Sequence, residues 1–371
     1  MDGPLVTQDL VARALDRQSL RELDHDGLLY HRFRDDAAGV ARGTVLIAGH
    51  AVPSYPSIGR IFVLERGLQR TFGDGPFWAE EKIDGYNVRV VRVEGRLLPL
   101  TRGGFVCPFT EDRLADMADL HPLFDVMPDA VLCCEVAGRD NPYIDACPPQ
   151  AGDDVRLFAF DLMRLDAPGF VPLARRDALL DGLGVPRARV RGRYTIAHLD
   201  AIRRDVLALD HLRAEGLIFK PPGEGLRVKY VTPSIELVDI AEDAELLAEL
   251  PGEFFSNRLL RLAISLAELG LTAGVAHAEA MVGKALVRDF LATVREVMDG
   301  GVVGKTYRVR VHSDGVADQV LAHLQRASSK IQVREVGRHR EGDFVVLTLH
   351  KTWQHSTAKL KGLLDGQVVM D

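Results

Sequence analysis

The fold is decided by one stretch of the chain, Glu80-Glu81-Lys82-Ile83-Asp84-Gly85-Tyr86-Asn87-Val88-Arg89. Its last residues and those that follow alternate between apolar and polar, which is typical of a half-buried β-strand. Asp84-Gly85 predicts a turn before this strand, and Glu94-Gly95 predicts a reversal into a second strand over Arg96 to Thr101. We therefore expect Lys82 to lie at the start of a rigid hairpin. A lysine fixed in this way suits a covalent nucleophile, although a surface lysine beside a turn has the same local pattern.

Nucleophilic attack by Lys82 requires its neutral amine, because the ammonium has no free electron pair. An ordinary lysine keeps its proton up to a pKa of about 10.4. Burial or nearby cations lower that pKa, since both disfavour the ammonium. If Lys82 is a nucleophile, we expect the folded chain to bury it or to place cations around it.

The composition is that of an ordinary globular protein. The chain has 371 residues, which suggests two or three domains, and it is 47% hydrophobic and 27% charged. Its formal net charge is -7, which argues against a general polyanion-binding protein. Binding to nucleic acid would therefore depend on a local basic surface, as in a substrate groove.

The four cysteines, Cys107, Cys133, Cys134 and Cys147, form neither a Cys-x-x-Cys pair nor a zinc-binding pattern with histidine. Cys133 and Cys134 belong to an apolar run and are expected in the core. We expect reduced cysteines and a cytoplasmic location. We expect neither a signal peptide nor a membrane span, since even the most apolar later stretch, residues 262–283, is interrupted by charged residues.

Two carboxylates are predicted inside apolar strands. Glu135 interrupts the run from Val131 to Val136, and Asp161 lies in a strand over Val155 to Leu165. Burying a charge is costly unless the charge has a partner, so both residues predict a polar site. The aromatic ring of the neighbouring Phe160 is more typical of a core than of a ligand platform.

More charges follow in Glu215-Gly216-Leu217-Ile218-Phe219-Lys220 and in the strand from Leu226 to Val231. Strand alternation places Arg227 and Lys229 on one face, where two cations repel each other unless an anion such as a polyphosphate joins them. Glu215 and Lys220 would face opposite sides of an ideal strand. Both can serve one site only if the chain bends before Pro221.

The second half of the chain changes character. From Asp239 to Met298 the pattern is helical, with predicted helices at 240–250, 257–269, 274–282 and 284–298. After Gly300-Gly301, strands and helices alternate and predict a small α+β module. Before these regions, a basic run over residues 187–193 is either a solvated face or a phosphate-contacting surface.

Taken together, the charged motifs resemble those of the covalent nucleotidyltransferases, a superfamily that includes ATP-dependent ligases and messenger-RNA capping enzymes. The motifs, in chain order, are Lys82-x-Asp84-Gly85, Arg102, Glu135, Phe160-Asp161, Glu215-Gly216-x-x-x-Lys220 and Arg227-x-Lys229. Longer stretches at 52–68, 80–89, 101–109 and 135–143 look like the homodimeric archaeal-type ATP-dependent RNA ligases. The likeness runs from about Leu28 to the end of the chain.

This resemblance implies an α+β fold. We expect a nucleotidyltransferase domain of the ATP-grasp-like ligase adenylation type, with antiparallel sheets, then a helical region and a small α+β C-terminal domain. The expected boundaries are an N-terminal α/β segment at 1–51, the catalytic domain at 52–238, helices that form a homodimer at 239–300 and the last domain at 301–371. The resemblance also implies ATP and Mg²⁺ as cofactors, and RNA with 5′-phosphate and 3′-hydroxyl ends as the partner.

The resemblance assigns roles to individual residues. Lys82 would attack the α-phosphate of ATP and become lysyl-AMP, and Glu215 would position Lys82 or a metal ion. The expected nucleotide contacts are Glu80 to the adenine amino group, Asn87 and Arg102 to ribose or the substrate phosphate, Glu135 to the ribose hydroxyls, and Phe160 to the adenine face. Asp161 would support the site, and the α-phosphate would be held by Lys220, Arg227 and Lys229. Arg227 departs from the family pattern, which often has lysine there.

Two alternatives remain open. A DNA nick-sealing ligase would carry the same motifs, because discrimination rests on a contact to the 2′-hydroxyl that the sequence does not reveal. An RNA-binding protein with a regulatory nucleotide site belongs to a different class, and the presence of every charged motif argues against it.

Overall fold

The computed structural model describes residues 6–37, 39–145, 147–246, 250, 253–271 and 274–368. Within these residues the chain forms four β-sheets. Their strands pair in antiparallel fashion, except for a short parallel pairing of residues 59–60 with residues 228–229. Helices pack against the sheets and form a separate helical region after residue 232. The expected α+β fold with antiparallel sheets is confirmed.

The strands form an N-terminal sheet, two central sheets and a C-terminal sheet. In spatial order, the N-terminal sheet contains β1 (Leu20–His25), β2 (Leu28–Phe33), β3 (Val45–Ile47) and β4 (His50–Val52). The five-stranded central sheet contains β11 (Val190–Tyr194), β6 (Phe77–Lys82), β12 (Gly216–Lys220), β13 (Val228–Val231) and β5 (Gly59–Arg60). The four-stranded central sheet contains β10 (Arg156–Arg164), β9 (Ala130–Ala137), β7 (Tyr86–Val93) and β8 (Arg96–Thr101). The C-terminal sheet contains β14 (Gly304–Val311), β16 (Phe344–Trp353) and β15 (Ile331–Glu341).

The α-helices of the described residues connect and cover these sheets. They are α1 (Gln8–Asp16), α2 (Leu64–Phe72), α3 (Pro108–Met117), α4 (His121–Val126), α5 (Leu173–Gly182), α6 (Leu199–His211), α7 (Pro233–Asp243), α8 (Glu253–Glu268), α9 (Val275–Gly283), α10 (Phe290–Met298), α11 (Asp314–Ala327) and α12 (Gln354–Leu364). Short 3₁₀ turns occur at Ile196–His198 and Ala244–Leu246, and a π-helical turn at Lys284–Asp289 joins α9 to α10.

One face of the five-stranded sheet is covered by helices. In α6 the buried residues Ile202, Val206 and Leu209 are three or four positions apart and therefore share one side of the helix. They pack with α2 against Phe77 and Phe219 of the sheet. The opposite face of the same sheet carries the polar residues of β6 and β12 and is turned toward the other central sheet.

The four-stranded sheet shares a core with the C-terminal sheet. Val88 and Leu132 belong to the same buried cluster as Val309 and Leu347. Polar contacts cross the same boundary: the Arg113 guanidinium donates to the carbonyl oxygen of Arg310 at 3.0 Å. The last α+β unit therefore packs on α3 and on the loop after β9, and its core is continuous with that of the four-stranded sheet.

The prediction that Lys82 begins a hairpin is wrong. Lys82 ends β6 in the five-stranded sheet, whereas β7, which follows it, belongs to the four-stranded sheet. The chain crosses between the sheets at Gly85, where an added Cβ would lie 2.5 Å from the carbonyl oxygen of Val136, so only glycine fits. Lys82 is thus held where the two central sheets meet. The reversal at Glu94-Gly95 into β8 is confirmed.

Several helices begin earlier than the pattern predicts, among them α5, α7 and α8. α7 begins at Pro233 rather than at Ile240, because proline presets the backbone angle of a first helical position. It ends at Asp243, and residues 247–249 of the predicted helix lie outside the described residues. α5 begins at Leu173 rather than at Asp177. This earlier start adds Arg176 to a helix that packs on the central sheets.

The cysteines are free, with Cys107, Cys133 and Cys134 buried and Cys147 exposed. The prediction that Cys133 and Cys134 are core residues is confirmed. In the part of the chain that the structure describes, the helices are too short or too polar to cross a bilayer.

The helical region exposes several large apolar side chains. Leu260, Val275, Val287, Leu291 and Met298 are between 42% and 66% exposed. Exposed apolar surface of this kind is stabilised when a partner covers it.

We predict that these side chains contribute to a homodimer. Light scattering after size-exclusion chromatography at micromolar concentration should give twice the chain mass of 40.9 kDa. Val287→Glu combined with Leu291→Glu should shift the protein toward the single-chain mass, because charges would have to be buried at the interface. A wild-type protein that elutes with the mass of one chain would contradict the prediction.

Candidate active site

A cavity of about 340 Å³ opens between the two central sheets. It is lined by Tyr55, Pro56, Ser57, Ile58, Glu80, Glu81, Lys82, Ile83, Asn87, Arg102, Glu135, Phe160, Ala188, Ile218 and Lys229. Seven of the predicted site residues are in this lining. The other four, Asp161, Glu215, Lys220 and Arg227, lie just outside it and bond to lining residues. The structure therefore brings all of them to one place.

The five-stranded sheet supplies one wall of the cavity. Glu80 and Lys82 alternate along β6 and so face the same side. Glu80 is in register with Ile218 on β12, Ile218 with Lys229 on β13, and Lys229 with Arg60 on β5. Because directly paired residues project to the same side, these four form a row across the sheet. An apolar side chain thus separates a carboxylate from two cations.

The four-stranded sheet supplies the opposite wall. Asn87 on β7 is directly paired with Glu135 on β9, and Phe160 follows on β10 at a break in the strand register. Arg102 comes just after β8, and its guanidinium donates to the Ser57 hydroxyl at 2.9 Å. A ligand between the sheets would therefore meet an aromatic ring and polar groups on one side and Lys82 on the other.

Lys82 is paired with Glu215, to which its ammonium donates a hydrogen bond. Burial lowers the pKa of Lys82, but Glu215, Glu135 and Asp84 raise it more, so the net pKa lies above the ordinary value. The expectation of a depressed pKa is therefore wrong for the ligand-free protein. The reason is that the effect of the carboxylates around this ammonium outweighs that of its burial.

Glu215 reaches Lys82 because the chain is irregular at Gly216. Gly216 has a φ of 147°, and an added Cβ would lie 2.1 Å from the carbonyl oxygen of Tyr230. Only glycine permits this conformation. The predicted bend between Glu215 and Lys220 is thus found, at the start of β12.

The carboxylates near Lys82 also act on one another. Burial raises the pKa of Glu135 to about 8, with Glu215 and Asp84 adding to the shift against the opposing effect of Lys82. Burial and Glu215 likewise raise the pKa of Asp84 to about 7. Crowded carboxylates of this kind favour a cation beside them.

The carboxylates around Lys82 fit a magnesium ion only if a bound nucleotide supplies some of its ligands. Among the described residues, no three His, Cys, Asp or Glu side chains are grouped as a metal site. Mg²⁺ is often held by one or two carboxylates together with substrate phosphates and water. The oxygen donors of Glu215 and Glu135 suit that arrangement, with nucleotide phosphates supplying the remaining ligands.

A buried ion network lies behind the cavity wall. Glu80 is 1% exposed, accepts a hydrogen bond from Arg176 at 2.5 Å and is paired with Lys220. Asp161 is 2% exposed, accepts a hydrogen bond from the Tyr55 hydroxyl at 2.6 Å, and lies 3.3 Å from Lys220. Burial raises the pKa of Asp161, but Lys220, Arg227 and Arg176 lower it by more. The net pKa therefore lies below the ordinary value, and the carboxylate stays ionised. Removing one partner of such a pair costs about 3–5 kcal/mol.

The three cations expected at the α-phosphate do not face one point. Lys220 is 1% exposed and is held by Glu80, Asp161 and the Phe160 carbonyl oxygen. Arg227 is paired with Asp161, and its guanidinium lies 3.4 Å from the centre of the Phe170 ring. Lys229 alone of the three lines the cavity.

Two residues of this network were not predicted. Arg176 is fully buried, and its spacing in Leu173, Arg176 and Leu180 places it in the apolar stripe of α5. A cation in such a stripe is the sequence signal that could have revealed it. Tyr55 is 7% exposed and carries its hydroxyl into the network, but it lies in an irregular segment without a periodic pattern.

Arginines of the basic run at residues 187–193 form ion pairs within the protein. Arg187 pairs with Asp181 at 2.6 Å, and Arg191 pairs with Glu81 at 2.8 Å. Arg189 and Arg193 are exposed. The run therefore fixes the edge strand β11 beside β6 more than it forms a continuous phosphate-contacting surface.

Comparison with known proteins shows which family this chain belongs to. A family model described as RNA ligase matches residues 75–231, and a second, described as the C-terminal region of ligase Pab1020, matches residues 243–367. A protein of Aquifex aeolicus is 36% identical over 98% of this chain and 100% of its own, with a TM-score of 0.90. The chain belongs to the RNA ligase family.

Two further relatives of this RNA ligase family member align with it over most of their length. An archaeal ATP-dependent RNA ligase, in its form 2, is 27% identical over 98% of this chain and 97% of its own, with a TM-score of 0.90. The uncharacterised protein MJ0414 of Methanocaldococcus jannaschii is 23% identical over 95% of this chain and 92% of its own. The Aquifex protein is provisionally named an ATP-dependent DNA ligase.

We predict that Lys229 makes nucleotide binding by this family member depend on pH. Burial, Lys82 and Arg60 lower the pKa of Lys229 to about 8, so it is charged below that pH and neutral above it. Because phosphates bind the ammonium, affinity for a non-hydrolysable ATP analogue should fall roughly tenfold or more as the pH rises through this range. Calorimetry in two buffers of different ionisation enthalpy should also show proton uptake on binding.

The variant Lys229→Gln serves as the control. It should bind the analogue more weakly at neutral pH and show a smaller pH dependence, because its amide does not titrate, whereas the pKa of Glu135, also about 8, still falls in this range. Equal affinity of the wild-type protein on both sides of the Lys229 pKa would contradict the prediction.

Proposed function

We propose that the protein is an ATP-dependent RNA ligase that acts through lysyl-AMP. The observation that carries this proposal is the placement of Lys82, which lines the cavity with its ammonium held by Glu215, opposite Glu135 and Asn87. Glu80 and Phe160 lie in the same cavity and would receive the amino group and the face of adenine. The membership of the RNA ligase family supports the reaction class.

In the first step, the Lys82 amine attacks the α-phosphorus of ATP. An N–P bond forms as the bond to the bridging oxygen breaks, and pyrophosphate leaves with that electron pair. Two protons leave the ammonium in reaching the phosphoramidate, and Glu215, which accepts a hydrogen bond from Nζ, is the nearest base. When bound, Mg²⁺ would neutralise charge on the carboxylates and phosphate oxygens, which favours the neutral amine.

The next two steps use the activated nucleotide. An oxygen of an RNA 5′-phosphate attacks the lysyl-AMP phosphorus, the N–P bond breaks, and Lys82 takes back its protons. A 3′-hydroxyl oxygen then attacks the 5′-phosphorus of the adenylated RNA, AMP leaves, and the hydroxyl proton passes to a base. Lys229, which lines the cavity, would stabilise the negative charge that develops on phosphate oxygens in each step.

Sealing of nicked DNA is the second candidate. It is favoured by the 36% identical Aquifex protein, which is provisionally named an ATP-dependent DNA ligase. The two candidates share the first step and differ in the nucleic acid that accepts AMP. A regulatory nucleotide site without chemistry is disfavoured, because it would not require a lysine paired with a carboxylate in the cavity wall.

We predict that incubation with α-labelled ATP and Mg²⁺ leaves label on the protein. The bond should be acid-labile and alkali-stable, as in a lysyl phosphoramidate. Lys82→Ala should take up no label, because the nucleophile is removed. Lys330→Ala, at an exposed lysine, is the matched control and should label normally. Persistent labelling of a folded Lys82→Ala protein would exclude the mechanism.

We predict that 5′-phosphorylated single-stranded RNA is circularised or joined, whereas all-DNA of the same sequence is a poor substrate. The test compares RNA, DNA and DNA that ends in a few 3′-ribonucleotides at equal concentration and salt, since phosphate contacts weaken as salt rises. Restoration of sealing by terminal ribonucleotides would locate the recognition of a 2′-hydroxyl at the acceptor end. Equal or faster sealing of all-DNA would favour the DNA-ligase candidate.

A further inference from the structure

Arg60 occupies a position beside the cavity to which the sequence motifs assign no role. It lies on β5 in register with Lys229, and the amide of Ile61 donates to the carbonyl oxygen of Lys229 at 3.0 Å. Ile58, two residues earlier, lines the cavity. Because residues two apart on an extended strand project to the same side, Arg60 faces the cavity side of the sheet.

Arg60 shares its ion-pair partner with a second arginine. Its guanidinium donates to the buried carboxylate of Glu236 at 2.7 Å. That same carboxylate also accepts two hydrogen bonds from Arg261, at 2.6 and 2.7 Å. One carboxylate thus serves two guanidinium groups, and Glu215 and Asp239 also lie close enough to act on the charge of Arg60.

Lys229 is the neighbouring cation in the row across the sheet. Within the described residues Lys229 has no ion-pair partner, and burial together with Lys82 and Arg60 disfavours its ammonium. Arg60, with 22% of its side chain exposed, stays accessible at the outer end of this pair. Lys229 and Arg60 form a cationic edge that extends from the cavity to β5. Such an edge favours an anion with several adjacent charges.

The order of the residues across the sheet indicates which anion would bind to this cationic edge. Along the row across the sheet, Glu80 and Ile218 lie on the adenine side, Lys229 follows, and Arg60 comes last. A nucleotide with its base near Glu80 and its α-phosphate between Lys82 and Lys229 would direct its outer phosphates toward Arg60.

We propose that Arg60 binds the β- and γ-phosphates of ATP and stabilises the departing pyrophosphate. This assignment rests on the proposed lysyl-AMP mechanism. As the bond between the α-phosphorus and the bridging oxygen breaks, the electron pair moves onto pyrophosphate, and a planar guanidinium can bind two of its oxygens at once. Only the first of the three steps involves pyrophosphate, so the role of Arg60 is confined to that step.

The test measures two reactions of Arg60→Gln separately. Formation of lysyl-AMP from ATP should fall by about 100-fold, comparable to the loss of one charge-stabilising donor in an active site. Joining of RNA that already carries a 5′-adenylate, by protein stripped of AMP, should stay within about twofold of wild type. Arg60→Lys, which keeps the charge, should recover part of the first rate. Formation of ATP from lysyl-AMP and inorganic pyrophosphate should fall with the forward reaction, because the two reactions are the reverse of each other and share one transition state.

Two control variants distinguish contact from packing. The side-chain amide that Arg60→Gln introduces can still donate to Glu236, and Arg261 remains as a partner, so this variant should keep the melting temperature close to wild type. Arg66→Gln, at an exposed arginine on α2, should leave both reactions unchanged. Arg261→Gln disturbs Glu236 but keeps Arg60, and it should not reproduce the loss confined to the first reaction.

The outcomes separate this inference from the proposed function. Equal loss of both reactions in Arg60→Gln, no loss in either, or the same selective loss in Arg261→Gln would overturn the role of Arg60. Each of those outcomes leaves the lysyl-AMP mechanism standing. Failure of the wild-type protein to form lysyl-AMP would instead overturn the mechanism itself.

Discussion

Two carboxylates that are almost completely enclosed, Glu80 and Asp161, govern the arrangement around the cavity. A buried anion requires cations within hydrogen-bonding distance, and here they come from separate elements: Lys220 from β12, Arg176 from α5 and Arg227 from the segment before β13. Glu80 belongs to the five-stranded sheet and Asp161 to the four-stranded sheet. Lys220 bonds to both carboxylates and therefore ties the two sheets together. The separation of the sheets, and with it the width of the cavity, depends on this charge balance as well as on apolar packing.

In one part of the site the buried polar and charged groups have partners within the protein, and in the other part they do not. Around Glu80 and Asp161, the buried charges already have partners in the protein. Elsewhere in the cavity they do not: in the described part of the chain, Asn87 has a buried Oδ1 without a hydrogen-bond partner, and Lys229 forms no ion pair. Burial holds the pKa of Glu135 near 8, so its carboxylate is also poorly accommodated. The polar groups that lack partners thus lie where a bound nucleotide would supply them. Electrostatic catalysis requires such an arrangement, with polar groups fixed in place before the substrate binds.

The chemistry of the site was more predictable than its geometry. Strand alternation identified β7 and β8, and an apolar run with a carboxylate pointed to Glu135, because these signals are local. Alternation does not reveal which sheet a strand joins, so it predicts a hairpin at Lys82 where the chain in fact crosses from one sheet to the other. The partners of Lys220 lie 140 and 59 positions away in the chain, which no local pattern encodes. The pairing of Arg60 with Lys229 is likewise formed between strands that only the folded sheet brings together.

The shared core of the four-stranded and C-terminal sheets has a consequence for synthesis on the ribosome. Every residue placed at the cavity has been translated once β13 is complete, yet the core that contains Val88 and Leu132 is completed only when Val309 and Leu347 arrive. The contacts of Arg113 with Arg310 and of Lys351 with Pro142 span 197 and 209 positions of the chain. Loops of that length close late, and until then the part of this core that the C-terminal sheet covers is open to water and to other nascent chains. A prematurely terminated chain would therefore contain the full set of charged motifs but lack the side chains that the C-terminal sheet adds to the core beneath them.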